Sequence, residues 1–144
     1  MIILDTNVLS ELMRPRPAQQ VVRWVSGQPA RRLFTTAITE AEIILGVALL
    51  PGGKRRALLE SIVVDMFAED FGDRALPFDS AAAPFFASIV AARRQGGRPI
   101  SHADAQIAAI ARCHGAAIAT RNIADFEGCK VELVNPWDAA QSQR

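Results

Sequence analysis

Short apolar runs alternate with stretches of helical periodicity along this chain, and that alternation constrains the fold more than any other feature. Ile2-Ile3-Leu4, Leu33-Phe34-Thr35, the weaker Ala75-Leu76-Pro77-Phe78, Ala117-Ile118-Ala119 and Val131-Glu132-Leu133-Val134 read as strands. The first is wholly apolar and rich in β-branched residues, which suits a strand covered on both faces, as in the middle of a parallel sheet. Between them the sequence predicts helices. A short one covers Asn7 to Met13 and is stopped by Pro15 and Pro17, and a second covers Gln19 to Ser26. A third runs from Thr36 or Thr39 to about Leu50, where Pro51-Gly52-Gly53 breaks it. Lys54 to about Glu69 is amphipathic, with Leu58, Leu59, Ile62, Val63 and Met66 at helical spacing. Asp79 can cap a further helix ending near Gly96-Gly97, which Pro84 either delays or bends, and Ser101 opens one ending near Gly115. Strand and helix in regular turn define an α/β fold: a mostly parallel central sheet with helices on both faces.

The 144 residues fit one domain, expected over 1–138, with a short polar tail at 139–144. Half are hydrophobic, enough for a full core. The net charge is only +1, so a nucleic-acid ligand would have to be held by local patches and bound cations rather than by overall charge. Cys113 and Cys129 make no zinc-type spacing and no disulfide framework. The start of the chain has no basic leader, and no run approaches the roughly 20 apolar residues of a membrane span; the expected location is the cytoplasm.

Four acidic positions do not suit their apolar surroundings. Asp5 closes the first strand, where it can cap the helix after it or face a ligand crevice beyond the strand's end. Glu42 shares a helix face with Ile38, Leu45 and Leu49, which would turn it inward; the bland reading is a rim glutamate or one paired with arginine. Asp104 shares a face with Ile107, Ala108 and Ala111, and Ser101-His102-Ala103-Asp104 also has capping-box spacing. Thr120-Arg121-Asn122-Ile123-Ala124-Asp125 follows a strand and is either an ordinary turn or the wall of a crevice. Carboxylates meeting in one pocket repel one another unless a cation joins them. Oxygen-only ligands suit Mg²⁺ or Mn²⁺, ions that activate water and stabilise in-line displacement at phosphorus. Thr6 and Thr120 can offer hydroxyls to such an ion's water shell or to a phosphate, and Arg121 can reach a phosphate. Lys54-Arg55-Arg56 and Arg93-Arg94 read as solvated helix surface, His102 and His114 as bystanders, and Met13, Trp24 and Phe85-Phe86 as core or dimer contacts.

The ordered set of motifs resembles the PIN-domain ribonucleases. Met1 to Leu12, Ile38 to Val47, Ser101 to Ala109 and Ala119 to Phe126 look like the family's successive motifs, and Val134-Asn135-Pro136-Trp137 is similar to the FitB-like branch of the VapC toxins. The resemblance implies a three-layer α/β/α domain and an Mg²⁺- or Mn²⁺-dependent endoribonuclease acting on single-stranded or structured RNA, often tRNA or rRNA. It implies a homodimer and a VapB-like antitoxin that blocks the acidic pocket, forms a heterotetramer or larger assembly and alone binds DNA. It makes Asp5 and Asp104 the main metal ligands, with Glu42 binding metal directly or through water. Asn122 stands where some members carry Asp; its amide can ligate without adding charge, while Asp125 supplies charge or caps the turn.

Two rival readings compete. A haloacid-dehalogenase-type phosphotransferase also places an Asp after the first strand but wants a second acid two residues later, where this chain has Asn7. A non-catalytic PIN-like module would use the pocket only to dock an antitoxin or RNA.

Overall fold

The computed structural model describes residues 1–138; the polar tail expected at 139–144 lies outside them. Five strands form one sheet: β1 (Ile2–Leu4), β2 (Leu33–Thr36), β3 (Ala75–Leu76), β4 (Ala117–Ala119) and β5 (Leu133–Val134). Their order is β3-β2-β1-β4-β5 and every pairing is parallel. The expected α/β architecture therefore stands, with β1 at the centre. The strand period of two divides the core between the sheet's faces. Ile2, Leu4 and Leu33 pack with Val8, Val21, Trp24, Ile43 and Val63 on one side. Ile3 and Ile118 pack with Ile89, Ile107, Ile110 and Phe126 on the other. The first layer is built from α1 (Thr6–Leu12), α2 (Gln19–Ser26), α3 (Ala37–Ala48) and α4 (Lys54–Asp65). The second comprises α5 (Ala83–Gln95), α6 (His102–His114) and the single turn α7 (Ile123–Phe126).

Local chemistry explains the boundaries. Thr36 caps α3 by accepting from Thr39 N at 3.1 Å, and Ser101 caps α6 by accepting from Asp104 N at 3.1 Å. Gly115 ends α6 in the left-handed region at φ 62, which a side chain adopts only with strain. Asp79 accepts from Ala82 N in a turn of its own, so α5 starts late, at Ala83, with Pro84 in the first turn where its missing N–H costs nothing.

Three expectations change. The helix expected to reach Glu69 is α-helical only to Asp65 and widens to a π-turn over Met66–Phe71. The five-residue repeat of that turn brings Met66 and Phe71 together into the core before the chain reverses at Gly72. The last strand starts at Leu133 rather than Val131, because the chain is still leaving a turn with positive φ at Gly128 and Lys130. On α3 the buried face is Thr39, Ile43 and Val47; Glu42 is exposed, and Leu45 and Leu49 are 58% and 75% exposed. Glu42 therefore does not sit on an inward apolar stripe.

Candidate active site

Parallel pairing of β1 with β4 sets Leu4 beside Ala119, so Asp5 and Thr120 leave adjacent strand ends together. Asp5 N donates to Ala119 O at 2.9 Å, which locks the two ends. The Asp5 carboxylate, only 5% exposed, accepts from Thr6 N at 2.8 Å, from the Thr120 hydroxyl at 2.8 Å and from Asn7 Nδ2 at 3.2 Å. Both readings of Asp5 hold at once: one oxygen caps α1 while the carboxylate lies at the crevice floor. Burial raises its pKa above the ordinary carboxylate value; the Thr120 and Thr6 hydrogen bonds oppose that, and the charges of Glu42 and Asp125 add to it.

Glu42 reaches the same place from α3, by a route that face-counting missed. The Thr6 hydroxyl donates to Glu42 Oε1 at 2.9 Å and lies 3.1 Å from the Thr39 hydroxyl, tying the start of α1 to α3. Asp104 arrives from the first turn of α6. Its pKa is also raised, first by burial and then by the charges of Asp5 and Asp125, with the Ser101 hydrogen bond and Arg93 pulling the other way. Asp104 thus lies in the field of Asp5 and Asp125, and Asp5 in that of Glu42 and Asp125.

Asp5, Thr6, Glu42, Asp104, Arg121, Asn122 and Asp125 line one open pocket of about 550 Å³. Thr120 alone of the expected residues does not face it. It is fully buried, with its hydroxyl donating to Asp5 and accepting from Asn7 Nδ2 and Asn122 N, so it acts on the pocket through Asp5 rather than by touching a ligand. Among the described residues no three acidic, imidazole or thiol side chains stand at direct ligating distance of a common point. An all-oxygen set spread around an open pocket fits a hard ion that takes one or two carboxylates directly and keeps several of its waters. In that arrangement Asp5 and Asp104 would hold the ion, with Glu42 acting across water.

Several contributors act through contacts between segments distant in sequence. Asn7 bridges the motifs: its amide donates to Asp5 and Thr120, and its Oδ1 accepts from Arg121 N at 3.1 Å. Glu11 is buried on the pocket wall, where it accepts from Ala18 N and pairs with Arg14 at 3.4 Å. Trp137 lines the pocket with its ring under the Arg121 guanidinium, 5.0 Å from ring centre to Arg121 Cζ. Arg93 corrects the reading of a solvated Arg93-Arg94 pair, since Arg93 is 8% exposed. It donates to the carbonyls of Arg98, Asp125 and Glu127, so α5 anchors the turn that carries Asn122 and Asp125. His102 packs on Phe86 at 4.9 Å, and neither it nor His114 lines the acidic pocket.

A parallel α/β sheet with acids from the end of β1 and from α3, α6 and α7 gathered beyond its central strand ends defines a protein with an acidic crevice at the topological switch. The chain belongs to the PIN-domain family, whose model matches residues 2–127. It is similar to VapC ribonuclease Y4jK of Sinorhizobium fredii, at 39% identity over 97% of this chain and 100% of that one. It is likewise similar to toxin FitB of Neisseria gonorrhoeae, at 40% identity over 95% of this chain and 99% of the other. The crystal structure of FitAcB from Neisseria gonorrhoeae superposes with a TM-score of 0.91 at 40% identity, covering 96% of this chain and 99% of that chain.

Proposed function

We propose that this chain is a VapC-type ribonuclease toxin, an endonuclease that hydrolyses RNA phosphodiester bonds with the help of Mg²⁺ or Mn²⁺. The single observation that carries the reading is the meeting of Asp5, Glu42, Asp104 and Asp125 in one pocket from four separate elements. The full-length similarity to proteins named VapC ribonuclease and toxin FitB supports it. A bound divalent ion would supply Lewis acidity at the phosphate and a water of lowered pKa. Asp5 and Asp104 would hold the ion. Thr6 holds Glu42 in place to orient a water at the pocket mouth. Asn122 adds an amide oxygen without charge, and Asp125 restores negative charge beside it. Arg121 contacts a substrate phosphate.

The antitoxin reading rests on the groove next to the pocket. It begins at Thr6, Ser10, Arg14 and Glu42 and continues over Met13, Gly46, Leu58 and Ile62. A VapB-like antitoxin would lay an extended segment there and block the acids; solved relatives include FitAB bound to a DNA fragment, at 40% identity. A homodimer, a cytoplasmic location and a tRNA or rRNA target belong to the same proposal. No helix among the described residues is long and apolar enough to cross a membrane.

The test is cleavage of structured RNA by the purified protein with Mg²⁺, with the new ends mapped by sequencing. Wild type should cut at few positions, and Asp5→Asn and Asp104→Asn should not cut. Undiminished cleavage by either variant overturns the reading.

A further inference from the structure

Arg121 is the odd cation of the pocket. Five carboxylates line the same walls: Asp5, Glu11, Glu42, Asp104 and Asp125. The other lining arginine, Arg14, is paired with Glu11. Arg121 makes no ion pair among the described residues. Its guanidinium instead lies over Trp137 at 5.0 Å, and its backbone N–H is fixed to Asn7 Oδ1. A flexible, exposed arginine surrounded by carboxylates would collapse onto one of them and neutralise it unless something held it off. Trp137 is placed to do that. The ring is half-buried against the core, and Trp137 N is itself held by Asn135 Oδ1 at 2.9 Å, so it is a fixed platform.

We propose that Trp137 is a positioning residue: it keeps the Arg121 guanidinium away from the acids and presents its planar fork to a phosphate of the RNA flanking the scissile one. Trp137 lies against one face of the guanidinium, whose N–H groups make no hydrogen bond among the described residues, and that N–H edge matches a phosphate's paired oxygens. A phosphate held at the lip of an otherwise acidic pocket gives the polyanion a foothold that the near-neutral chain does not supply elsewhere in the site. The inference rests on the ribonuclease reading above and names the part of the substrate that this corner of the site takes.

The experiment measures binding of a short single-stranded RNA of mixed sequence to the cleavage-silent Asp5→Asn protein over a range of KCl concentrations. Arg121→Gln should weaken binding about tenfold and flatten the dependence of log affinity on log salt by about 0.7, the mark of one lost phosphate contact to a single strand. Trp137→Leu should weaken it about three- to fivefold, and Trp137→Phe, which keeps a ring under the cation, should recover much of that loss. In the double variant Arg121→Gln with Trp137→Leu the losses should not add, because the tryptophan acts through the arginine. Additive losses, or an unchanged salt slope in Arg121→Gln, overturn the proposal. The slope test stands even if the tryptophan variants fail to fold, because the Arg121 side chain is exposed. Parent protein that binds no RNA overturns the ribonuclease reading and this proposal with it, whereas RNA binding that is equal in all variants overturns this proposal alone.

Discussion

The Thr120 hydroxyl donates to Asp5 Oδ2 at 2.8 Å, joining the ends of two strands 115 residues apart in sequence. That bond lowers an Asp5 pKa that burial raises. Thr120→Val removes it, so the Asp5 pKa should climb further and a larger share of the protein should hold Asp5 neutral at a given acidic pH. The acid limb of the pH–rate profile for RNA cleavage should move to higher pH, and Thr120→Ser should return it. A limb that stays in place in Thr120→Val would show that Asp5 ionisation does not govern the reaction.

Burial, with the charges of Asp5 and Asp125, holds the folded-state pKa of Asp104 above the ordinary carboxylate value. Between those two values the folded chain keeps a proton that the unfolded chain has lost. Metal-free stability therefore falls as pH rises through that window and stays reduced above it. Asp104→Asn removes this cost and should raise the metal-free melting temperature at neutral pH. Added Mg²⁺ should stabilise the wild type, by mass action on the folded state, more than the variant. Thermal melts with and without the ion check both statements.

Arg93 should matter far more than its neighbour Arg94. Arg93→Ala leaves the carbonyls of Arg98, Asp125 and Glu127 without their buried donor and should cost about 2–4 kcal/mol in urea unfolding. Cleavage should drop as well, since the Asn122–Asp125 turn loses its anchor. Arg94→Ala, on the exposed side of α5, should change stability by less than about 0.5 kcal/mol.

Leu58 is 62% exposed on the groove wall beside the pocket. Leu58→Glu should leave the melting temperature of the isolated chain nearly unchanged, because little burial is lost. With the VapB-like antitoxin proposed above, the variant should form a weaker complex by calorimetry and should escape inhibition. Unaltered affinity would move the antitoxin's docking site elsewhere.

Much of this was legible in the sequence, for identifiable reasons. The strand Ala117–Ala119 and the helix Gln19–Ser26 fall where expected, since both are bounded by residues that set their own limits. Asp5 and Asp104 were readable because each follows a motif that fixes it at an element's end. An inward apolar face does not explain why Glu42 lines the pocket. Counting faces on α3 assumed that Leu45 and Leu49 are covered, yet the packed layers leave both in the open, and what turns Glu42 toward the pocket is the Thr6 hydroxyl from a different helix. Arg93 looked like surface because its partners are backbone carbonyls 5, 32 and 34 residues away, which no side-chain pattern announces. Asn7 and Trp137 stand inside motifs of the family resemblance, but their roles lie in contacts with Thr120 and Arg121, made only once β1, β4 and β5 are side by side.

In the proposed site Asp5, Glu42 and Asp104 share one divalent cation, Glu42 through water. Titration of Mn²⁺ into the metal-free protein, followed by electron paramagnetic resonance of the free ion, tests it most directly. Wild type should take up the ion, and Asp5→Asn, Asp104→Asn and Glu42→Gln should each lose affinity, least for Glu42→Gln. Wild type that leaves all the Mn²⁺ free, or three variants that bind as tightly as wild type, would contradict the account.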